Sequence, residues 1–233
     1  MFFGVSLRFL AFAAPIALFL ISFSGVDIWI SSFFYEDGVW RLKNDPFLLF
    51  LYDYAPIGTA FFALCCLALG SAAFLCRAKA KSSDKARFLY ARRYLPLFLV
   101  LSYALGPGLV VNTIFKDNFG RARPAQIEEF GGDKRFTPPF VIANECEKNC
   151  SFSSGHATVG FYFVSLALIL SGGAAKAVFA FSVFYGALIG FARIAQGGHF
   201  FSDVAFSFLF VYLTAKILYH LMFVRLKLGR GTI

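Results

Sequence analysis

The sequence predicts an all-α, polytopic membrane protein with six transmembrane helices. Three observations predict it. Of the 233 residues, 59% are hydrophobic and only 15% are charged, against about 25% charged in ordinary soluble domains. Six separate stretches are long and apolar enough to cross a bilayer, which takes about 20 residues each. The basic residues are gathered in clusters, so the net charge of +9 reads as a topology signal and a chemical one, and no nucleic-acid partner is expected. The 33 phenylalanines suit helix faces turned to lipid. A chain of this length suits one domain, residues 1–233.

The first span is placed at 7–26. Arg8 followed by an apolar run from Phe9 to Phe23 resembles a signal peptide. The run is long enough to span, and five further spans follow, so a retained anchor is expected. Segment 27–54 carries Trp29, Tyr35, Trp40, Tyr52 and Tyr54 among acids and Pro46. Such aromatics prefer the membrane interface. Part of the segment is read as a short helix on the outer surface, with a structured loop as the equal alternative. The second span is placed at 55–76, where Cys65, Cys66 and Cys76 read as core residues.

The loop 77–93 holds Arg77, Lys79, Lys81, Lys85, Arg87, Arg92 and Arg93 against a single acid, Asp84. That bias makes it cytoplasmic. The third span is placed at 94–114, and the fourth at 155–173. Ser171 to Lys176 is read as a tight cytoplasmic turn. The fifth span follows at 176–196 and the sixth at 201–224, and the tail carries Arg225, Lys227 and Arg230. Six crossings return both termini to the cytoplasm. They leave 27–54, 115–154 and 197–200 outside, which is periplasmic in a Gram-negative cell. Five cysteines are too few for a disulfide scaffold. Cys146 and Cys150 share one outer loop and can pair if it faces an oxidising compartment. No strand alternation of useful length and no internal repeat is evident.

Three stretches on the outer side carry chemistry. In the last, Arg193-Ile-Ala-Gln-Gly-Gly-His199-Phe-Phe-Ser-Asp203, a histidine and an acid lie four apart, a spacing that shares one helix face. A carboxylate beside an imidazole fixes its tautomer and raises the basicity of the far nitrogen. Asp203 opens an apolar helix and is costly there without a partner. A structural hydrogen bond at a helix end fits this pair equally well. Arg193 needs an anionic partner at its depth, or snorkels to the interface. Gly197-Gly198 permits a tight turn between the two helices.

In the second stretch, Ser153-Ser154-Gly155-His156, Ser154 is a good N-cap. The helix N-terminus behind it favours an anion, Gly155 permits close approach, and His156 is placed to protonate a leaving oxygen. A capped helix with an interfacial histidine fits that tetrad alone. In the first, Lys116-Asp-Asn-Phe-Gly-Arg-Ala-Arg123-Pro124, Arg123 offers a two-pronged fork and Lys116 a point charge to phosphate. A basic loop meeting lipid head groups is its plainer meaning. Together the stretches supply cations, a helix N-terminus, two histidines and a carboxylate on one membrane face, which is what phosphoryl transfer requires. There is no glycine-rich nucleotide loop, no acid cluster for magnesium and no zinc spacing, so no metal and no other cofactor is expected.

These motifs resemble those of the type 2 phosphatidic acid phosphatase superfamily. Its pattern is Lys-x6-Arg-Pro, then Pro-Ser-Gly-His, then Ser-Arg-x5-His-x3-Asp. The chain has all three in order, at family spacing, with Ser153 in place of the proline and Ala192 in place of the serine. The resemblance implies a lipid phosphatase of the bacterial inner membrane with its active site at the outer, periplasmic face. It further implies that His199 attacks phosphorus to form a phosphohistidine and that Asp203 orients it. His156 protonates the leaving group and then activates water. Lys116, Arg123, Arg193, Ser154 and the Gly155 amide hold the phosphoryl oxygens, with Arg121 as a secondary phosphate ligand.

The family acts on phosphatidic acid, phosphatidylglycerol phosphate, undecaprenyl pyrophosphate and lipid A. The loop from Gly120 to His156 looks like that of bacterial lipid A phosphatases of the 4′-phosphatase type. Lys134, Arg135 and Lys148 are candidates for a second phosphate on a large sugar head group, although Glu128, Glu129, Asp133, Glu145 and Glu147 balance the loop's charge. The expected substrate is therefore lipid A ahead of the other lipids. A phosphotransferase using undecaprenyl pyrophosphate as donor is the enzymatic alternative.

Overall fold

The computed structural model describes residues 5–228, so Arg230 of the basic tail lies outside the described residues. The chain is mostly helical. Helix α1 (Leu7–Ser22) starts where the Ser6 hydroxyl accepts the Phe9 N–H at 3.2 Å. After a break at Phe23 and Ser24, α2 (Gly25–Ser32) leaves at 81° to it. A two-residue hairpin, β1 (Tyr35–Glu36) and β2 (Val39–Trp40), follows, a small exception to the expected lack of strands.

Helix α3 (Pro46–Leu75) begins nine residues before the predicted boundary of 55. The Asp45 carboxylate accepts the Leu48 N–H at 3.0 Å, and Pro46 stands at the first turn, where its missing N–H costs nothing. Tyr52 and Tyr54 are therefore helical. Of the cysteines read as core, Cys66 is buried, Cys76 is half-buried and Cys65 is exposed. The cationic loop is also shorter than predicted, because Ser83 caps α4 (Asp84–Ala91). That helix runs on into α5 (Tyr94–Tyr103) and a wide-turned stretch, Ala104–Lys116. Pro107 removes a backbone donor there, and the Asn112 side chain donates to the Pro107 carbonyl at 2.8 Å.

The fourth predicted span is split into two short helices, α6 (Gly155–Phe161) and α7 (Val164–Ile169). Leu170 and Ser171 are extended, and α8 (Gly172–Ala195) starts at once, so the predicted turn to Lys176 contracts to two residues. Helix α9 (Phe201–Tyr219) continues in wide turns through Arg225.

Among the described residues four helices are long and apolar enough to cross a membrane: Pro46–Leu75, Asp84–Lys116, Gly172–Ala195 and Phe201–Arg225. The bent α1–α2 pair makes a fifth candidate. The sequence predicts six; Gly155–Ile169 is apolar but shorter, reaching about 22 Å against a hydrocarbon core of about 30 Å. It packs tightly on α8, where a Cβ at Gly160 would strike the Gly186 backbone. Small residues of this kind let membrane helices approach closely.

The end of the Asp84–Lys116 rod, the starts of α6 and α9 and the end of α8 meet at one end of the bundle. The long loop 117–154 closes over them. The Cys150 N–H donates to the Lys116 carbonyl at 3.2 Å, Ser151 N–H to Arg121 at 2.9 Å and Ala125 N–H to Gly197 at 3.0 Å. Cys146 and Cys150 are joined by a disulfide within this loop.

Candidate active site

His199 lies in the turn between α8 and α9 and is fully buried. Its Nδ1 stands 2.8 Å from the Ser151 carbonyl and 3.6 Å from Asp203 Oδ2. A carbonyl only accepts, so Nδ1 carries the proton and Nε2 keeps its lone pair. Nε2 is buried and has no hydrogen-bond partner among the described residues. Burial pushes the imidazole pKa down to about 4, against the hydrogen bond and charge of Asp203, which raise it; Arg193 and Lys116 lower it further. The ring is neutral at physiological pH, as a nucleophile must be.

Asp203 is engaged more fully than a simple pair with His199 requires. Its Oδ1 accepts Arg121 Nη1 at 2.6 Å, and its Oδ2 accepts the Ser151 hydroxyl at 2.5 Å and the Phe200 N–H at 2.8 Å. Because α9 begins at Phe201, His199 stands before the helix and not on its face; the Asp203 carboxylate reaches back to cap that turn. Arg121, read from sequence as a secondary phosphate ligand, is a buried strut. It spans Asp203 and Asp27, with Nη2 at 2.8 Å from Asp27 Oδ2, and also donates to Ser202 and the Thr137 carbonyl. Asp27 in α2 in turn accepts the Ser202 N–H at 2.8 Å and its hydroxyl at 2.5 Å.

Other motif residues gather near His199. His156 has Arg193, His199, Lys116 and Arg123 as its electrostatic neighbours. Lys116 and Arg193 are nearly buried, while Gly155, His156 and Arg123 are half-buried and form a rim. Gly155 is required by close approach: a Cβ there would lie 2.5 Å from Asn112 Oδ1 and 3.4 Å from Lys116 Nζ. Ser154 caps α6 by accepting the Ala157 N–H at 3.4 Å. Gly197 turns with φ +70° beneath the Trp40 ring, and a side chain at Gly198 would displace the Arg193 guanidinium. Arg193 Nη1 is held by Gln196 Oε1 at 2.5 Å, and its Nε is buried without a partner among the described residues. Arg123 gives one Nη to the Asn149 carbonyl at 2.8 Å. Burial lowers its pKa, opposed by Tyr52 and Asp203.

The sequence-predicted residues therefore gather around His199, with Arg121 tied in behind Asp203. Three groups that sequence reasoning passed over also belong to the site: Ser151, which ties the loop to both His199 and Asp203; Asp27; and Tyr52, which stacks on His156. Asp27 carried a legible signal, an acid inside an apolar stretch that needs a partner. Lys134 and Lys148 lie apart, lining an outer cleft with Glu145 and Glu147. Among the described residues no three His, Cys, Asp or Glu side chains are grouped to share a metal ion.

The PAP2 superfamily matches residues 95–227, a span that contains all three motif stretches. A lipid A 4′-phosphatase of Francisella tularensis subsp. novicida (strain U112) is 38% identical over 211 residues, 88% of this chain and 90% of that protein. Lipid A 4′-phosphatases of Rhizobium leguminosarum and Rhizobium etli are 35% and 37% identical over 45% of this chain, and over 45% and 41% of their own lengths. No solved structure matches the chain significantly. With more than half its length matched by the family and nearly all of it aligned to one relative, the chain belongs to the PAP2 superfamily.

Proposed function

We propose that this PAP2-superfamily phosphatase hydrolyses a phosphate ester on the head group of lipid A through a phosphohistidine on His199. The observation that carries the mechanism is the state of His199: Nδ1 is held by the Ser151 carbonyl and Nε2 is free to attack. Nε2 attacks phosphorus as the ester bond breaks, and the leaving oxygen takes a proton from His156. Water then attacks the phosphohistidine, His156 accepts its proton, and inorganic phosphate departs. Lys116, Arg123, Arg193, Ser154 and the Gly155 amide bind the phosphoryl oxygens and neutralise charge in the transition state. Asp203, braced by Arg121 and Ser151, stabilises the His199 ring. Protein cations supply the charge neutralisation, so the scheme needs no cofactor.

In this reading residues 1–233 form one domain in a bacterial inner membrane. The α1–α2 pair and the short α6–α7 pair complete six membrane segments. Both termini are cytoplasmic, and the pocket opens to the periplasmic side. The preference for lipid A rests on the names of the relatives, one of which aligns over nearly the whole chain.

Purified protein given lipid A in detergent micelles should release free phosphate. His199→Ala should lower that rate by at least about 10³-fold while leaving folding and membrane insertion intact. Unchanged release by the variant refutes the mechanism, and release that requires a lipid acceptor replaces hydrolysis with transfer. Mass spectrometry of total membrane lipids with and without the gene tests the substrate: the gene should remove one phosphate from lipid A, and unaltered lipid A refutes that choice.

A further inference from the structure

Tyr52 lies in the second turn of α3, a helix that contributes none of the three motifs. Its ring stacks on the His156 imidazole, with centroids 4.3 Å apart and planes 18° from parallel. The Arg193 guanidinium carbon lies 4.5 Å from the same ring centre. Among the described residues no hydrogen bond orients the His156 ring, which leaves this stack to restrain it. The approach of α3 to α6 is itself fixed one helical turn and more below: Thr59 donates its hydroxyl to the Val159 carbonyl at 3.2 Å, and Ala55 packs with Val159 and Ile189. The ring is thus carried on a rigid support, at the half-open rim of the pocket.

We propose that Tyr52 is the positioning residue for His156, holding the imidazole in line with the leaving oxygen by ring stacking. The proposal rests on the reading of His156 as the acid and base of the reaction. A general acid works only within hydrogen-bond reach of the atom it protonates. A histidine with no hydrogen bond on either nitrogen is free to rotate unless packing restrains it. The stacked ring restrains rotation while leaving both nitrogens available for proton transfer. The ring, not the phenol, is what this role requires.

The test measures phosphate release from lipid A micelles by Tyr52→Leu, Tyr52→Phe, His156→Ala and the double variant His156→Ala/Tyr52→Leu. Tyr52→Leu should lose roughly ten- to a hundredfold in kcat, the cost of a misplaced catalytic group. Its KM should stay within about twofold if the ring serves His156 and not the neighbouring Arg193. Tyr52→Phe should restore most of kcat. In the His156→Ala background Tyr52→Leu should cost nothing further, since the two residues act as one unit. The proposal is overturned if Phe loses as much as Leu, if the losses multiply in the double variant, or if the defect is confined to KM, which assigns the ring to Arg193 instead. Tyr52→Gln takes the place of the Leu variant if the latter does not fold. The underlying reading fails separately, through activity retained by His199→Ala, whatever the Tyr52 variants do.

Discussion

At the scale of single residues, the two arginines of the first motif divide the work. Arg121 is fully buried between Asp27 and Asp203, and Arg123 is half-buried at the rim with one carbonyl partner. Removing one member of a buried ionic network leaves the others uncompensated and costs about 3–5 kcal/mol. Arg121→Met should therefore lower the thermal midpoint in detergent markedly, and activity should fall with it as Asp203 loses its brace. Arg123→Met should change stability by only about 1 kcal/mol yet lower kcat/KM by about 10²-fold, the cost of losing one transition-state cation. Equal stability losses in the two variants would defeat this division. The proximity of Lys116, Arg123, Ser154, Gly155, His156, Arg193, His199 and Asp203 was legible because each motif is local and lies at or just beyond a helix end. The role of Arg121 as a buried strut leaves no mark in the motif, because its second partner, Asp27, lies 94 residues away in the chain. Spacing arguments cannot reach that far.

At the scale of elements, the α8–α9 connection sets the relation between Arg193 and His199. The Gly198 and His199 N–H groups both donate to the Arg193 carbonyl, at 2.8 and 3.3 Å. A methyl at Gly198 would meet the end of the Arg193 side chain, not backbone, so the turn can keep its course while the guanidinium moves. Gly198→Ala should thus leave thermal stability nearly unchanged and reduce kcat/KM by about tenfold or more, as a phosphate ligand shifts by about 1 Å. A large stability loss with intact catalysis by the folded fraction would show that the glycine serves the turn alone. The long apolar helices were legible from hydropathy, but their ends were not. Asp45 and Ser83 extend α3 and the third rod into stretches rich in charge and aromatics, because an N-cap outweighs composition at a helix start. The split of α6 from α7 was illegible for the opposite reason: both pieces are apolar, and a break inside an apolar run leaves no mark on hydropathy.

At the scale of the whole molecule, orientation decides which lipid the pocket meets. Apolar side chains such as Phe12, Phe61, Leu64, Leu69 and Phe184 are exposed along the helices, as a lipid-facing surface requires. The segment 77–93, with seven lysines and arginines against one acid, joins the ends of α3 and the next rod that lie away from the pocket. In the proposed orientation, cytoplasmic retention of lysine and arginine directs the pocket outward. The pocket-side loop 115–154 carries six cations, of which Lys116 and Arg121 are buried, so it presents few free cations to oppose translocation. Single cysteines in a cysteine-free background test this orientation. Asp133→Cys, at an exposed site of the outer loop, should react with a membrane-impermeant maleimide in intact spheroplasts. Ser82→Cys, exposed in the cationic loop, should react only after lysis. The inverted pattern would face the phosphate pocket to the cytoplasm and remove periplasmic head groups from its reach, whatever its chemistry.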